Sequence, residues 1–142
     1  MGGLDFQDFL DKLFTLFDME PRLAYNLEHE QIDGSVSSDT DDYIIEARWW
    51  KGRVGRNDAD VFDKKVDRKG KNALGIFVSV NGFSEGALET YSEETSFLAI
   101  DGADLMCVLD QRVRLDDLLR RKKRHANETG HCYFAATRMI AD

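Results

Sequence analysis

Residues 31–50 read QIDGSVSSDTDDYIIEARWW, and this stretch predicts two β-strands joined by a polar turn. We expect the first strand at residues 31–37 and the second at residues 43–49. The SDTDD segment between them is too polar to bury, as is typical of a turn. The stretch therefore predicts a β-hairpin with one strand on each side of residues 38–42.

Side chains alternate between the two faces of a strand, so the hairpin sorts its charged residues by face. Asp33 shares a face with Gln31 and Ser35, whereas Glu46 shares one with Ile44 and Arg48. If the strands pair, Asp33 and Glu46 lie close together with Arg48 one step along. Two carboxylates and a cation suit a divalent metal and a phosphodiester. The same alternation is also found in ordinary half-exposed strands, so the pattern alone leaves that alternative open.

The remaining segments predict helices and strands around this hairpin. An amphipathic helix capped by Asp5 precedes it, and a helix capped by Asn57 follows it. A short helix capped by Ser84 comes later in the chain. We predict an α/β fold with a mixed sheet of about five strands flanked by helices. The expected helices span residues 5–18, 57–69, 84–91, 105–109 and 113–126, and the further strands span residues 22–28, 73–80 and 96–100.

Length and composition predict one globular domain over residues 1–142. The chain is 42% hydrophobic and has one proline, which argues against a disordered segment. Cys107 and Cys132 are not in zinc-binding spacing, and no signal peptide is apparent. No apolar run approaches the ~18 residues of a membrane span. We therefore expect a cytoplasmic protein without a membrane contact.

The net charge of −8 does not favour a general electrostatic attraction to nucleic acid. Two regions concentrate basic residues. One comprises Arg48, Lys51, Arg53 and Arg56, and the other is the run from Arg120 to Arg124. Either of these regions supplies DNA contacts, or a separate domain or partner chain does so.

The hairpin motifs resemble those of restriction-endonuclease-like nucleases, whose signature is an Asp followed by Glu-x-Lys. QIDG and YIIEARW are most similar to the Mrr-like branch, in which the second motif typically reads E-A-K-W. The helix with Val61, Phe62, Lys65 and Val66 and the segment GIFVSVNGFSEGAL (residues 75–88) continue the resemblance. It implies a three-layer fold and a metal-dependent endonuclease that cleaves double-stranded DNA, with a role in restriction of foreign DNA.

The resemblance also implies roles for individual residues. Asp33 and Glu46 correspond to the metal ligands for Mg²⁺ or Mn²⁺, and Arg48 occupies the position of the catalytic lysine. Because an arginine is effectively never deprotonated, Arg48 cannot act as a base. We expect weakened activity and a gain of activity in Arg48→Lys. The acidic residue that relatives often carry on the first helix is replaced by Gln7, so we assign no ligand there.

These departures from the family pattern leave two other functions open. One is a catalytically inactive module that binds DNA or a protein partner through the same fold. The other is a regulatory subunit that does not bind nucleic acid, which the acidic composition favours. Nuclease domains of this kind commonly act as homodimers or beside a separate DNA-targeting domain or subunit.

Overall fold

The structure is a computed structural model that describes residues 2–70 and 72–140. The chain alternates helices and strands around one sheet, and the element bounds lie within a few residues of the predicted ones. The elements are α1 (Gly3–Leu16), β1 (Arg22–Asn26), β2 (Gln31–Ser38), β3 (Asp41–Arg48), α2 (Arg56–Asp67), β4 (Leu74–Ser79), α3 (Glu85–Thr90), β5 (Phe97–Asp101), α4 (Gly102–Leu109), α5 (Leu115–Thr129) and a 3₁₀ helix (Ala136–Met139).

The sheet has five strands in the order β1-β2-β3-β4-β5. The β1–β2 and β2–β3 pairs are antiparallel, whereas β3–β4 and β4–β5 are parallel. Parallel neighbours need a crossover connection, and here α2 links β3 to β4 and α3 links β4 to β5. The prediction of a mixed sheet of about five strands flanked by helices is confirmed.

The β2–β3 turn is tighter than predicted. β2 extends to Ser38 and β3 begins at Asp41, so two residues form the connection. Asp39 and Thr40 have φ values of 50° and 71°. Two consecutive left-handed residues match the twist of the flanking strands, which is why such short turns are favoured in hairpins. The hairpin register is therefore fixed close to its turn.

Apolar side chains cover both faces of the sheet and define three layers. One face packs against α1, α4 and α5 through residues such as Ile32, Ile45 and Leu98. The other face packs against α2 and α3 through Phe77 and Phe97. Because both faces are covered, β4 reads as a nearly continuous apolar run. The helix–sheet–helix arrangement is the restriction-endonuclease-like fold.

Two predicted helix caps are wrong and one is confirmed. α1 has Gly2 at its N-cap and α2 has Gly55, so Asp5 and Asn57 lie inside their helices. In both helices an extended glycine precedes the expected cap, and the chain turns into the helix there. Ser84 caps α3 as predicted, since its hydroxyl accepts a hydrogen bond from the Ala87 amide.

The C-terminal segment folds back against the body. α5 ends at Gly130, whose φ of 85° is left-handed. A Cβ atom at this glycine would lie 1.8 Å from the Glu93 carbonyl oxygen, so a larger residue would not fit. Over residues 2–70 and 72–140, we find no helix with both the length and the apolar character that crossing a bilayer requires.

Candidate active site

The pairing of β2 with β3 places the two predicted acids directly opposite each other. Asp33 pairs with Glu46 in the antiparallel ladder, and Ile32 pairs with Ala47. Directly opposed residues on antiparallel strands project from the same face of the sheet. The side chains of Asp33 and Glu46 therefore meet on the α2 face, as the sequence predicts.

Gly34, which follows Asp33, lets β1 approach this hairpin. It pairs with Leu23 on β1. A Cβ atom at Gly34 would lie only 2.0 Å from the Arg22 carbonyl oxygen. The Asp-Gly sequence thus combines a carboxylate on the α2 face with a close approach of two backbones.

Asp33 is a partly exposed carboxylate in a network of hydrogen bonds. Its Oδ1 accepts hydrogen bonds from Gln31 Nε2 at 2.9 Å and from Lys65 Nζ at 3.2 Å. Its Oδ2 accepts a longer one from Asn26 Nδ2 at 3.4 Å. Because 27% of the side chain remains exposed, Asp33 is open to a ligand.

Glu46 is the buried member of the pair, with 4% of its side chain exposed. Burial raises the pKa of its carboxyl, while the Arg48 and Lys65 cations oppose this rise and the Asp33 carboxylate adds to it. Arg48 Nη2 donates to Glu46 Oε2 at 2.8 Å, and Lys65 Nζ lies 3.9 Å from Oε1. Two cations therefore favour the ionised form of a carboxylate that burial disfavours.

Arg48 is held in place on several sides. Nη1 lies 3.0 Å from Asp58 Oδ1, and Nη2 also donates to Gln31 Oε1 at 3.3 Å. The guanidinium carbon lies 4.2 Å from the centroid of the Trp50 ring, which covers it. Only 7% of the side chain is exposed, and within residues 2–70 and 72–140 Nε has no hydrogen-bond partner. Arg48 is thus a buried cation committed to neighbouring acids.

Lys65 is a site residue that the sequence did not identify, because a lysine on a helix is usually just solvated. It lies on α2 on the same helical stripe as Asp58 and Val61, at spacings of three, four and seven residues. This stripe borders the buried one formed by Ala59 and Phe62. A lysine that flanks the buried face of the helix directly following the Glu-x-Arg strand is the signal that could have located it.

These side chains line an open pocket of about 410 Å³ between the hairpin and α2. Its donor set is suited to a hard cation, since Asp33 and Glu46 offer carboxylate oxygens. Within residues 2–70 and 72–140, no cluster of three His, Cys, Asp or Glu side chains has the geometry of a metal site. Mg²⁺ is usually bound by one or two carboxylates and several waters, so a pair of carboxylates fits it. The lining residues are Asn26, His29, Gln31, Asp33, Glu46, Arg48, Trp50, Asp58, Val61 and Lys65.

Other candidate residues lie away from this pocket. Gln7 on α1 donates to the Leu23 carbonyl oxygen at 3.2 Å, so its side chain supports β1. In the basic run, Arg120 pairs with Asp117 and Lys123 with Asp41, whereas Lys122 is buried against Asp104. This run is therefore largely committed to contacts within the chain.

The fold is that of the restriction-endonuclease-like class, and it carries paired carboxylates on two adjacent strands of the sheet. Comparison with known families supports this assignment. A family model described as restriction endonuclease (Mrr_cat) matches residues 1–109, which include the hairpin, α2 and the whole sheet. The chain belongs to this family. The searches of curated proteins and of solved structures gave no significant match.

Proposed function

We propose that this chain is a metal-dependent DNA endonuclease that hydrolyses phosphodiester bonds and restricts foreign DNA. The observation that carries this proposal is the direct pairing of Asp33 with Glu46 on β2 and β3. Their carboxylates line an open pocket with two cations beside them. Membership in a restriction endonuclease family supports DNA as the substrate.

Asp33 and Glu46 are the proposed ligands for Mg²⁺ or Mn²⁺. Asp33 is accessible from the pocket, and the Arg48 and Lys65 cations oppose the rise in the pKa of Glu46 that burial causes. When bound at these carboxylates, the ion would polarise the phosphate and lower the pKa of a bound water. The role of the protein chain is to hold both carboxylates on one face of the sheet at a fixed strand register.

Arg48 is the third proposed site residue, at the position that carries lysine in the family pattern. Its Nη2 donates to Glu46 Oε2 at 2.8 Å, which orients that carboxylate toward the pocket and stabilises its charge. Trp50 stacks on the guanidinium and leaves little of it exposed. Weak turnover relative to enzymes with lysine at this position is therefore an expected property.

The proposed partner is double-stranded DNA. Lys51, Arg53 and Arg56 are exposed in the segment that follows Trp50 in the chain, and exposed cations are suited to backbone phosphates. Since the net charge is −8, a second copy of the chain or a separate DNA-targeting domain or subunit would add affinity. We propose a single domain over residues 1–142 that acts in the cytoplasm.

The test is nicking of supercoiled plasmid with Mn²⁺ and, in parallel, with EDTA. We expect nicking by the wild-type chain with Mn²⁺, none with EDTA, and none by Asp33→Asn. Asp8→Asn is the matched control, because Asp8 is an exposed acid that pairs with Lys12 on α1. Equal nicking by Asp33→Asn and the wild-type chain, or nicking in EDTA, would contradict the proposal.

A second candidate function is a catalytically inactive module that binds DNA or a protein partner. The specific observation in its favour is that the arginine in the lysine position, Arg48, is buried and paired with Glu46 and Asp58. This alternative predicts retention of a short DNA duplex with Mn²⁺ and no cleavage. A regulatory subunit that does not bind nucleic acid would instead fail to bind heparin or DNA resin at low salt.

A further inference from the structure

The pocket contains two cations of different accessibility. Arg48 has 7% of its side chain exposed, whereas Lys65 has 37%. Both contact Glu46, and Lys65 also contacts Asp33. A cation that binds a DNA phosphate must reach the solvent side of the pocket, and the difference in exposure favours Lys65.

Arg48 is poorly accessible to a phosphate, although among the described residues its Nε and Nη1 form no hydrogen bond. One edge of its guanidinium faces Glu46 and Gln31, and Nη1 faces Asp58. Its ring contacts are Trp50 at 4.2 Å and Phe77 at 5.2 Å. A phosphate oxygen would have to displace the Trp50 ring or one of the acids to reach it.

The Lys65 ammonium, in contrast, is accessible and flexible. Its four-carbon stem rises from α2, and its ammonium bridges the two carboxylates at 3.2 Å from Asp33 Oδ1 and 3.9 Å from Glu46 Oε1. The ammonium carries three rotatable donors on a flexible chain. It can therefore leave one carboxylate and bind a new anion with a small rotation of its terminal bonds.

We propose that Lys65, supplied by α2, is the cation of this site that binds the scissile phosphate. This inference rests on the proposed nuclease function. In the free protein Lys65 neutralises the Asp33–Glu46 pair, so it competes with any metal ion for the same oxygens. On binding DNA the ammonium shifts to a phosphate oxygen and leaves both carboxylates accessible.

The experiment compares Lys65→Met with the wild-type chain in two measurements. In calorimetric titration, the dissociation constant for Mn²⁺ is expected to be at least about threefold lower in Lys65→Met than in the wild-type chain, because a competing cation is gone. Plasmid nicking by the same variant is expected to fall by about 10²–10³-fold, the usual effect of removing one charge-stabilising donor. A residue with only a structural role would not change these two quantities in opposite directions.

Two further variants serve as controls. Lys65→Arg keeps the charge and is expected to retain part of the nicking activity. Lys64→Met removes an exposed lysine at the adjacent position on α2 and is expected to match the wild-type chain in both measurements. Circular dichroism of each variant confirms that it is folded.

The outcomes separate this inference from the proposed function. Wild-type nicking that persists unchanged in Lys65→Met overturns the role of Lys65 and leaves the nuclease intact. An increase in nicking by Arg48→Lys with no change in Lys65→Met overturns it as well. If the wild-type chain does not nick plasmid, the nuclease proposal fails. Binding of a short duplex with Ca²⁺ then decides the role of Lys65.

That duplex measurement has its own expected result. Loss of one phosphate contact is expected to weaken binding by Lys65→Met and to reduce the slope of log affinity against log salt by about 1. An unchanged slope and affinity would overturn the assignment of Lys65 to phosphate.

Discussion

Two lysine–carboxylate contacts of similar length lie on opposite faces of the sheet and differ in their surroundings. Lys65 Nζ lies 3.2 Å from Asp33 on the α2 face, and Lys122 Nζ lies 2.9 Å from Asp104 between α4 and α5. The Lys65 side chain is 37% exposed, whereas that of Lys122 is 0% exposed. Distance alone does not separate the two pairs, but access to solvent does.

The buried Lys122–Asp104 pair, called the sealed pair below, uses nearly all of its hydrogen-bonding capacity inside the protein. Lys122 Nζ also donates to the Phe134 carbonyl oxygen at 2.8 Å, and Asp104 accepts from the amides of Ala136 and Asp101. Burial lowers the pKa of Lys122 and raises that of Asp104, and each charge opposes the shift of the other. This pair joins α4, α5 and the C-terminal segment, so its role is structural. The Lys65–Asp33 pair, called the open pair below, borders a pocket and is available for binding.

The largest expected effect on stability is that of Lys122→Met. It leaves the Asp104 carboxylate buried without its cation, which should lower the free energy of unfolding by about 3–5 kcal/mol. Urea denaturation measures this loss. Lys123→Met is the control, because Lys123 pairs with Asp41 at a site about one-third exposed and should cost about 1 kcal/mol or less. Equal losses in the two variants would remove the distinction between sealed and open pairs.

Arg48→Met tests the buried ion pair between Arg48 and Glu46 at the pocket. Loss of the guanidinium should lower the free energy of unfolding by about 2–3 kcal/mol at pH 8, since a charged hydrogen bond to buried Glu46 disappears. The pKa of Glu46 would then rise further, because one of the cations that oppose its rise is gone. The folded state then binds a proton more readily than the unfolded state, so the loss should shrink as the pH falls toward 5. A loss independent of pH would show that Glu46 is not the affected group.

Metal binding should depend on pH through the same carboxyl. Burial raises the pKa of Glu46 above that of an ordinary glutamate, and a metal requires the ionised form. As the pH falls below this raised pKa, Mn²⁺ affinity should decrease by up to about tenfold, or 1.4 kcal/mol, per pH unit. Calorimetric titrations from pH 8 to about pH 4 measure the change. An affinity that stays constant down to the ordinary range near 4.3 would contradict the raised pKa.

The smallest expected effect is that of Lys65→Met on stability. Its own side chain is more than one-third exposed and its charge is screened by water, so the free energy of unfolding should change by about 1 kcal/mol or less. The same urea measurements apply. A loss above about 2 kcal/mol would make Lys65 a structural residue like Lys122 and weaken its assignment to phosphate.

The hairpin could be predicted because its information is local. Alternation along β2 and β3 places Asp33 and Glu46 on defined faces, and the polar segment between the strands sets their register. The core segments were also predictable, since apolar periodicity distinguishes α1 from the continuous run of β4. The helix caps were less predictable from the sequence. Gly55 and Gly2, which precede the expected caps Asn57 and Asp5, are the N-cap residues.

The positions of the cations could not be predicted, because they depend on how helices lie over the sheet. Lys65 reaches Asp33 across 32 residues of sequence, through the placement of α2 above the hairpin. Arg48 is buried because Trp50 folds over it. In the basic run on α5, Lys123 pairs with Asp41 beside the hairpin turn, which is far away in the sequence. These contacts arise from tertiary packing, and the local pattern at most marks Lys65 as flanking the buried face of its helix.

The central claim is that Asp33 and Glu46 together bind a divalent cation. Calorimetric titration with Mn²⁺ tests it most directly, in the wild-type chain, Asp33→Ala and the control Asp8→Ala. We predict one saturable site in the wild-type chain and in Asp8→Ala, and binding at least about tenfold weaker in Asp33→Ala. Equal heats and affinities for the wild-type chain and Asp33→Ala would contradict the account.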